Sequence, residues 1–332
     1  MNKGKSIHLN NNLGRRNSHL KRNYFKALMV FISAMVILGF IRNPYYVGVL
    51  VFFGINAIIT TGLSLLMGYA GQISLGQAAF YGIGAYTSGV LTAKLGMPVW
   101  FGFLSAVLLT ALIAYIVGIP TLRLKGHYLA MATLGLGEIV HIVFNELLSL
   151  TGGPSGFGNI PLIKIFGIEL NNDFLYYIFV WAVFSFILFI SLNLIDSRIG
   201  RALRAIHKSE TTAATLGINI SKLKLQIFIL SAVYASIAGF LYAHYVTFLS
   251  PGTFGLHFSV LLVTMVAVGG MENIWGAFIG TGVLTLLPEY LRIFKDYDIL
   301  IYGIILMSIM LFRPEGLYGI KIPLKIGKKK EQ

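Results

Sequence analysis

The chain has 332 residues, of which 56% are hydrophobic and only 11% charged, and it carries a formal net charge of +14 without a single cysteine. An average soluble domain holds roughly 25% charged residues, so this much apolar surface exceeds what a soluble core absorbs and the composition marks a membrane protein. The positive excess, a nucleic-acid signature in a soluble chain, is explained here by the bias of Lys and Arg toward cytoplasmic loops, and the missing Cys excludes disulfides, thiolate metal sites and a cysteine nucleophile.

Residues 1–26 are polar and basic, with seven Lys or Arg and no acid, and lead into the apolar run Ala27–Ile41. The IRNPYYVG that follows lacks the small-residue cleavage site of a signal peptide, so the run reads as an uncleaved first span. Gly4-Lys5-Ser6 resembles the end of a P-loop, but the glycine that motif needs five residues earlier has no position in the chain. Further spans are expected at Tyr45–Met67, Ser74–Leu95, Val99–Gly118, Leu129–Leu150, Phe174–Leu194, Leu225–Leu249, Phe258–Gly270, Ile274–Tyr290 and Ile299–Phe312. The expected fold is thus an all-α integral membrane protein, a polytopic bundle of about ten transmembrane helices with glycine-interrupted segments. Starting inside, 21 of the 26 Lys and Arg fall on one side of the membrane, which puts both termini in the cytoplasm. The domain reading is a basic cytosolic tail at 1–26, a transmembrane domain at 27–312 with a cytosolic loop at 195–224, and a second basic cytosolic tail at 313–332.

Within that frame, Gly68–Tyr86 is rich in glycine and contains Ser74-Leu-Gly-Gln77, which fits a capping box at a helix start. Backbone freed at Gly68–Ile73 needs protein or water partners, and a helix beginning at Ser74 aims N–H groups at a cavity suited to a carboxylate. The bland alternative is a tight turn at the membrane surface. A second glycine-rich stretch, Gly269–Gly280, includes the small-xxx-small spacing Gly276-Ala-Phe-Ile-Gly280 that permits close helix contact.

Glu138 and His141 fall three residues apart inside an expected span, with Asn145 a turn further on. Intramembrane ionisable groups are functional candidates; these two read as pathway lining, a buried polar pair or a proton relay. A metal site finds only His244 as a further histidine well inside a span, so no metal is expected. Gln72-Ile-Ser-Leu-Gly76 has Gln where a nucleophile elbow needs Gly, and no strand precedes it, so catalysis finds no nucleophile. Thr151-Gly152-Gly153-Pro154 begins an uncharged outside loop, either a reverse turn or an outer lip touching a substrate-delivering partner.

The longest polar interruption is Asp196–Lys224, with six Lys or Arg against Asp196 and Glu210. Ile199, Leu203 and Ile206 fall on one helical face, followed by a second short helix around Ala213, Ala214, Leu216 and Gly217, and the whole reads as a docking element or a solvated basic loop.

Several segments in order resemble the permease subunits of ABC importers for branched-chain amino acids, of the second of the two related types that pair in such transporters. The residues that carry the resemblance are Gly71-Gln-Ile-Ser-Leu-Gly-Gln-Ala-Ala-Phe80 with Gly84-Ala-Tyr86, Leu122-Arg-Leu-Lys-Gly126 running into Ala130-Met-Ala-Thr-Leu134, and Thr151-Gly-Gly153. Further along stand Gly200-Arg-Ala-Leu-Arg-Ala205 with Glu210 and Leu216-Gly217, then Gly269-Gly270 with Gly276. Coverage runs from about Tyr45 to Arg313.

The resemblance implies a permease without ATPase activity of its own, in the cytoplasmic (inner or plasma) membrane of a prokaryote. Its implied partners are a sister permease, two cytosolic ATP-binding subunits that bind the ATP, and an extracytoplasmic binding protein. It needs no cofactor of its own. The glycine break and the intramembrane ionisable groups place a candidate substrate pathway near Gly71, Gln72, Ser74, Gly76, Gln77, Glu138 and His141, and the resemblance implies an ATPase-coupling segment at Arg201, Arg204, Glu210, Ala213, Ala214 and Gly217. Threonines follow the acid where the family has small residues, which leaves open whether Glu210 or the Ala213–Gly217 turn seats deepest in the ATPase. Related permeases import urea and short amides, so that substrate class stays open beside the amino acids. A stand-alone proton-coupled transporter using Glu138 and His141 is the rival from another class.

Overall fold

The computed structural model describes residues 3–41, 43–124, 126–165, 167–291 and isolated positions between 301 and 317. Nine of the ten expected spans coincide with helices among these residues; Ile299–Phe312 and the tail at 313–332 lie outside them apart from those isolated positions. Among the described residues, eight helices are long and apolar enough to cross a membrane.

Helix α1 (Lys3–Phe40) runs without interruption through what the sequence sets apart as a polar tail. Its buried positions Asn23, Ala27, Val30 and Ala34 recur at helical spacing and make a single stripe. Helix α2 (Pro44–Ser64) starts at Asn43, whose side chain accepts the Tyr45 N–H at 3.0 Å, with Pro at the first helical position where no N–H is needed. It continues through a π-helical turn at Leu65–Tyr69 and is buried along most of its length.

After an irregular stretch at 70–76 comes α3 (Gln77–Gly89), which also ends in a π-turn, Val90–Lys94. Helices α4 (Val99–Thr121) and α5 (His127–Glu146) follow, then the single turn α6 (Leu148–Thr151) and a small hairpin, β1 (Lys164–Ile165) against β2 (Ile168–Glu169). Helix α7 (Asp173–Asp196) returns to the cytoplasmic side of the expected topology. There the chain makes α8 (Arg198–Lys208) and α9 (Glu210–Thr215) before α10 (Ile220–Val246), α11 (Leu256–Gly269) and α12 (Ile274–Leu291).

Helices α2 and α10 form the centre, with α7, α12, α3 and α4 around them. Between apolar helices in lipid, close approach and hydroxyl pairs supply the adhesion that the hydrophobic effect supplies in water. A Cβ on Gly239 would stand 2.0 Å from the Tyr81 carbonyl oxygen, so α10 and α3 touch backbone to backbone. The small-xxx-small spacing does the same for α11 and α12: a Cβ on Gly280 would lie 2.1 Å from the Met265 carbonyl oxygen. Hydroxyls bridge helices at Thr60–Thr281 (2.7 Å), Thr110–Ser236 (3.1 Å) and Ser191–Tyr234 (3.1 Å). His244 bonds Ser88 through Nε2 (2.7 Å) and the Pro161 carbonyl through Nδ1 (2.6 Å), which accounts for this intramembrane histidine as a structural tie.

Candidate functional site: a glycine break joined to a cytoplasmic docking element

The irregular stretch after α2 is held from three sides. Gly68, in the π-turn, lies so close to the α11–α12 turn that a Cβ would stand 1.8 Å from the Met271 carbonyl oxygen. Gly71 turns the chain at φ +67°, a region that favours glycine, and a Cβ built on it would stand 3.5 Å from the His207 imidazole of α8. Gly76 lies under α5, where a Cβ would be 2.8 Å from the Thr133 carbonyl oxygen. The break therefore touches the docking element, the late helix pair and α5 at once.

The capping box expected at Ser74 is corrected. Helix α3 begins at Gln77, with Gly76 as an N-cap that offers no side chain, and the Ser74 hydroxyl only reaches the Gly76 N–H at 3.4 Å. The capping comes from other helices: Thr133 Oγ1 of α5 accepts the Leu75 N–H at 3.0 Å, and Ser259 Oγ of α11 accepts the Ala78 N–H at 3.1 Å. Two donors that the sequence assigns to a substrate carboxylate are thus satisfied internally.

Polar capacity remains nonetheless. Gln77 donates to Ser231 at 3.0 Å but leaves its Oε1 without a partner, and both amide atoms of Gln72, 1% exposed, have none among the described residues. A buried amide without partners is costly unless another state or a ligand satisfies it, which is what a moving part of a pathway provides.

On α5, Glu138 is exposed and His141 half-buried, with its Nδ1 unpartnered and its ring beside Gly255. Asn145 donates to the His141 carbonyl at 2.9 Å, so it belongs to the helix and not to a relay. Among the described residues no three His, Asp or Glu side chains gather as metal ligands do.

At the other end, Thr151 is buried, not presented outward. Its hydroxyl donates to the Phe144 carbonyl at 2.6 Å and accepts the Gly153 N–H at 3.2 Å, while Gly152 and Gly153 turn the chain at positive φ. The following loop pairs with the α10–α11 connection through reciprocal bonds between Phe157 and Leu249, 3.0 and 2.9 Å.

The docking element is two short capped helices. Ser197 caps α8 and Ser209 caps α9. Of the expected apolar face Leu203 and Ile206 are buried but Ile199 is exposed, and Gly200 turns inward in its place, packed against the Ile195 carbonyl where a Cβ would stand at 2.1 Å. Arg201 and Arg204 are exposed. Glu210 is drawn back onto Lys224 of α10 (2.6 Å), and Ala213 is buried against its own chain. The crest is Leu216, 72% exposed, flanked by exposed Ala214 and by Gly217 at φ +76°. Of the two parts between which the sequence leaves the register open, the Ala214–Gly217 crest is the more exposed and Glu210 is held by Lys224.

Thr133, Ser231 and Ser259 escaped the sequence reading because single hydroxyls in apolar runs carry no spacing signal. Their only trace is that a hydroxyl inside a span seeks an interhelical acceptor or donor.

These features define a multi-pass membrane protein with a glycine-rich helix break beside an exposed polar segment of two short helices. The family model for the permease component of the branched-chain amino acid transport system matches residues 45–312. The chain is 32% identical over 302 residues to the high-affinity branched-chain amino acid transport system permease protein LivM of Salmonella typhimurium, covering 83% of this chain and 71% of the relative. It is likewise 32% identical over 292 residues to LivM of Escherichia coli, covering 81% and 69%. To the permease protein LivH of Salmonella typhimurium it is 25% identical, covering 79% and 91%. No solved structure matches the chain. The chain belongs to the branched-chain amino acid transport system permease family.

Proposed function

We propose that the chain is one of the two permease subunits of an ATP-driven importer for branched-chain, hydrophobic amino acids. It spans the cytoplasmic membrane of a prokaryote about ten times with both termini inside, and it pairs with a sister permease. It takes substrate from an extracytoplasmic binding protein and draws its energy from two cytosolic ATP-binding subunits, so that it is a transport subunit and not itself an enzyme. Relatives of two names, LivM and LivH, within one named transport system support the pairing.

The observation that carries the reading is the contact of Gly71 with His207. A partner that shifts α8 on closing over ATP acts directly on the break at 70–76, and a ligand bound elsewhere moves an equilibrium only through contacts that differ between its states. Gln72, without partners in this arrangement, gains them in another.

The test is reconstitution in proteoliposomes with a sister permease, two ATP-binding subunits and a binding protein, reading labelled leucine uptake. Uptake that requires ATP, the binding protein and every subunit is expected. Uptake by this chain alone under a proton gradient, or import of urea and not leucine, refutes the reading.

A further inference from the structure

Glu138 stands eleven residues into the twenty-residue α5, about 16 Å from its start at 1.5 Å per residue, and so near mid-span. It is exposed on a helix that is mostly unburied, and among the described residues it has no ion-pair or hydrogen-bond partner. A carboxylate facing hydrocarbon at that depth costs several kcal/mol and does not persist there; it faces water or a cation supplied from outside the chain. Two further observations describe its surroundings. Gly137 lies against Leu75 and Gly76 (3.7 and 4.0 Å from its Cβ position), so Glu138 sits at the edge of the break. One turn below, no atom lies within 4 Å of a Cβ built on Gly135, and the exposed Met131, Ile139 and Ile142 surround it with apolar surface.

We infer that Glu138 is the substrate-ammonium ligand of the pathway: its carboxylate receives the α-ammonium of an aliphatic amino acid, and the open space at Gly135 receives part of the side chain. The inference rests on the importer reading above and adds to it a binding residue and a charge requirement. An amino acid without net charge carries one ammonium, which an acidic side chain in a partly desolvated site holds by a charge-assisted hydrogen bond. The acid, on a face it shares with His141 and Asn145 amid apolar side chains, then also sets selectivity, because a molecule with an aliphatic body and no cation leaves the carboxylate unpaired.

The experiment uses the complete transporter with its binding protein in proteoliposomes. Wild-type leucine uptake is measured first; its absence refutes the importer reading itself, before any variant is made. With uptake established, Glu138→Gln is expected to lower it about 10- to 100-fold, the range of a lost charged hydrogen bond, while the complex elutes intact and Glu138→Asp keeps a larger share. Gly135→Leu, which fills open space without touching the fold, is expected to block uptake with assembly unchanged. Wild-type rates in Glu138→Gln overturn the inference. So does a Glu138→Gln complex that no longer assembles, since Glu138 would then pair with the sister chain. So does ATP-fuelled wild-type uptake that collapses on adding a protonophore, which would make Glu138 a proton carrier.

Discussion

Glu210 and Lys224 are unequal partners, and the inequality predicts unequal variants. The Lys224 side chain is 8% exposed and that of Glu210 33%, with 2.6 Å between Nζ and Oε1. Glu210→Gln leaves a nearly buried ammonium in the first turns of α10, where the helix dipole also disfavours a cation, and is expected to cost about 2–3 kcal/mol. Lys224→Met leaves a carboxylate that water reaches, so its loss is held to about 1 kcal/mol by screening. The double variant buries a methionine beside a neutral amide and is expected to match Lys224→Met, not the sum. Hydrogen exchange of the α9 amides in the detergent-purified protein reads this locally: 2 kcal/mol corresponds to about 30-fold faster exchange in Glu210→Gln and 1 kcal/mol to about fivefold in Lys224→Met. Equal effects of the two single variants, or an additive double, refute the argument that burial of the ammonium dominates.

Gly68→Val places side-chain atoms where the Met271 carbonyl oxygen stands, and is expected to destabilise the purified protein by at least about 3 kcal/mol or to prevent its accumulation; a melting curve superimposable on wild type refutes the contact. Thr133→Val and Ser259→Ala each remove one cap of the α3 start and are expected to cost about 1 kcal/mol, seen as melting lowered by roughly 2–4 °C. Leu216→Asp changes an exposed crest residue, so thermal stability is expected to hold while binding-protein-stimulated ATP hydrolysis of the assembled complex falls to its basal level; full stimulation places the docking contact elsewhere.

Length and hydropathy carried most of the architecture, because a span is recorded in twenty consecutive residues and needs no knowledge of its neighbours. The same locality explains the misses. Ser74 looked like a cap because its own sequence allowed it, whereas the actual caps come from Thr133 and Ser259, about 60 and 180 residues away. Ile199 matched a helical stripe as well as Gly200 did; only the carbonyl of Ile195 beneath the helix decides which one turns inward. Thr151-Gly-Gly153 was legible as a turn, and its hydroxyl closes that turn. The contact between Gly71 and His207 lay beyond any periodicity, since it joins a span break to a loop more than a hundred residues later.

Helix α1 has a further consequence, in time. Its buried stripe rests on α7: Tyr177 donates to the Ala34 carbonyl at 2.9 Å, and the Asn23 amide reaches Asn193 and Asp196 at 3.1 and 2.8 Å. Those partners are separated by 143 to 173 positions in the chain. At roughly 5–20 residues per second of synthesis, α1 is made about 10–30 s before the helix that covers it. During that interval Asn23 waits near the membrane surface with water for company. Helix α1 therefore stays undocked until α7 has been made, and its place on α7 is available before α10, the helix at the centre of the bundle, exists.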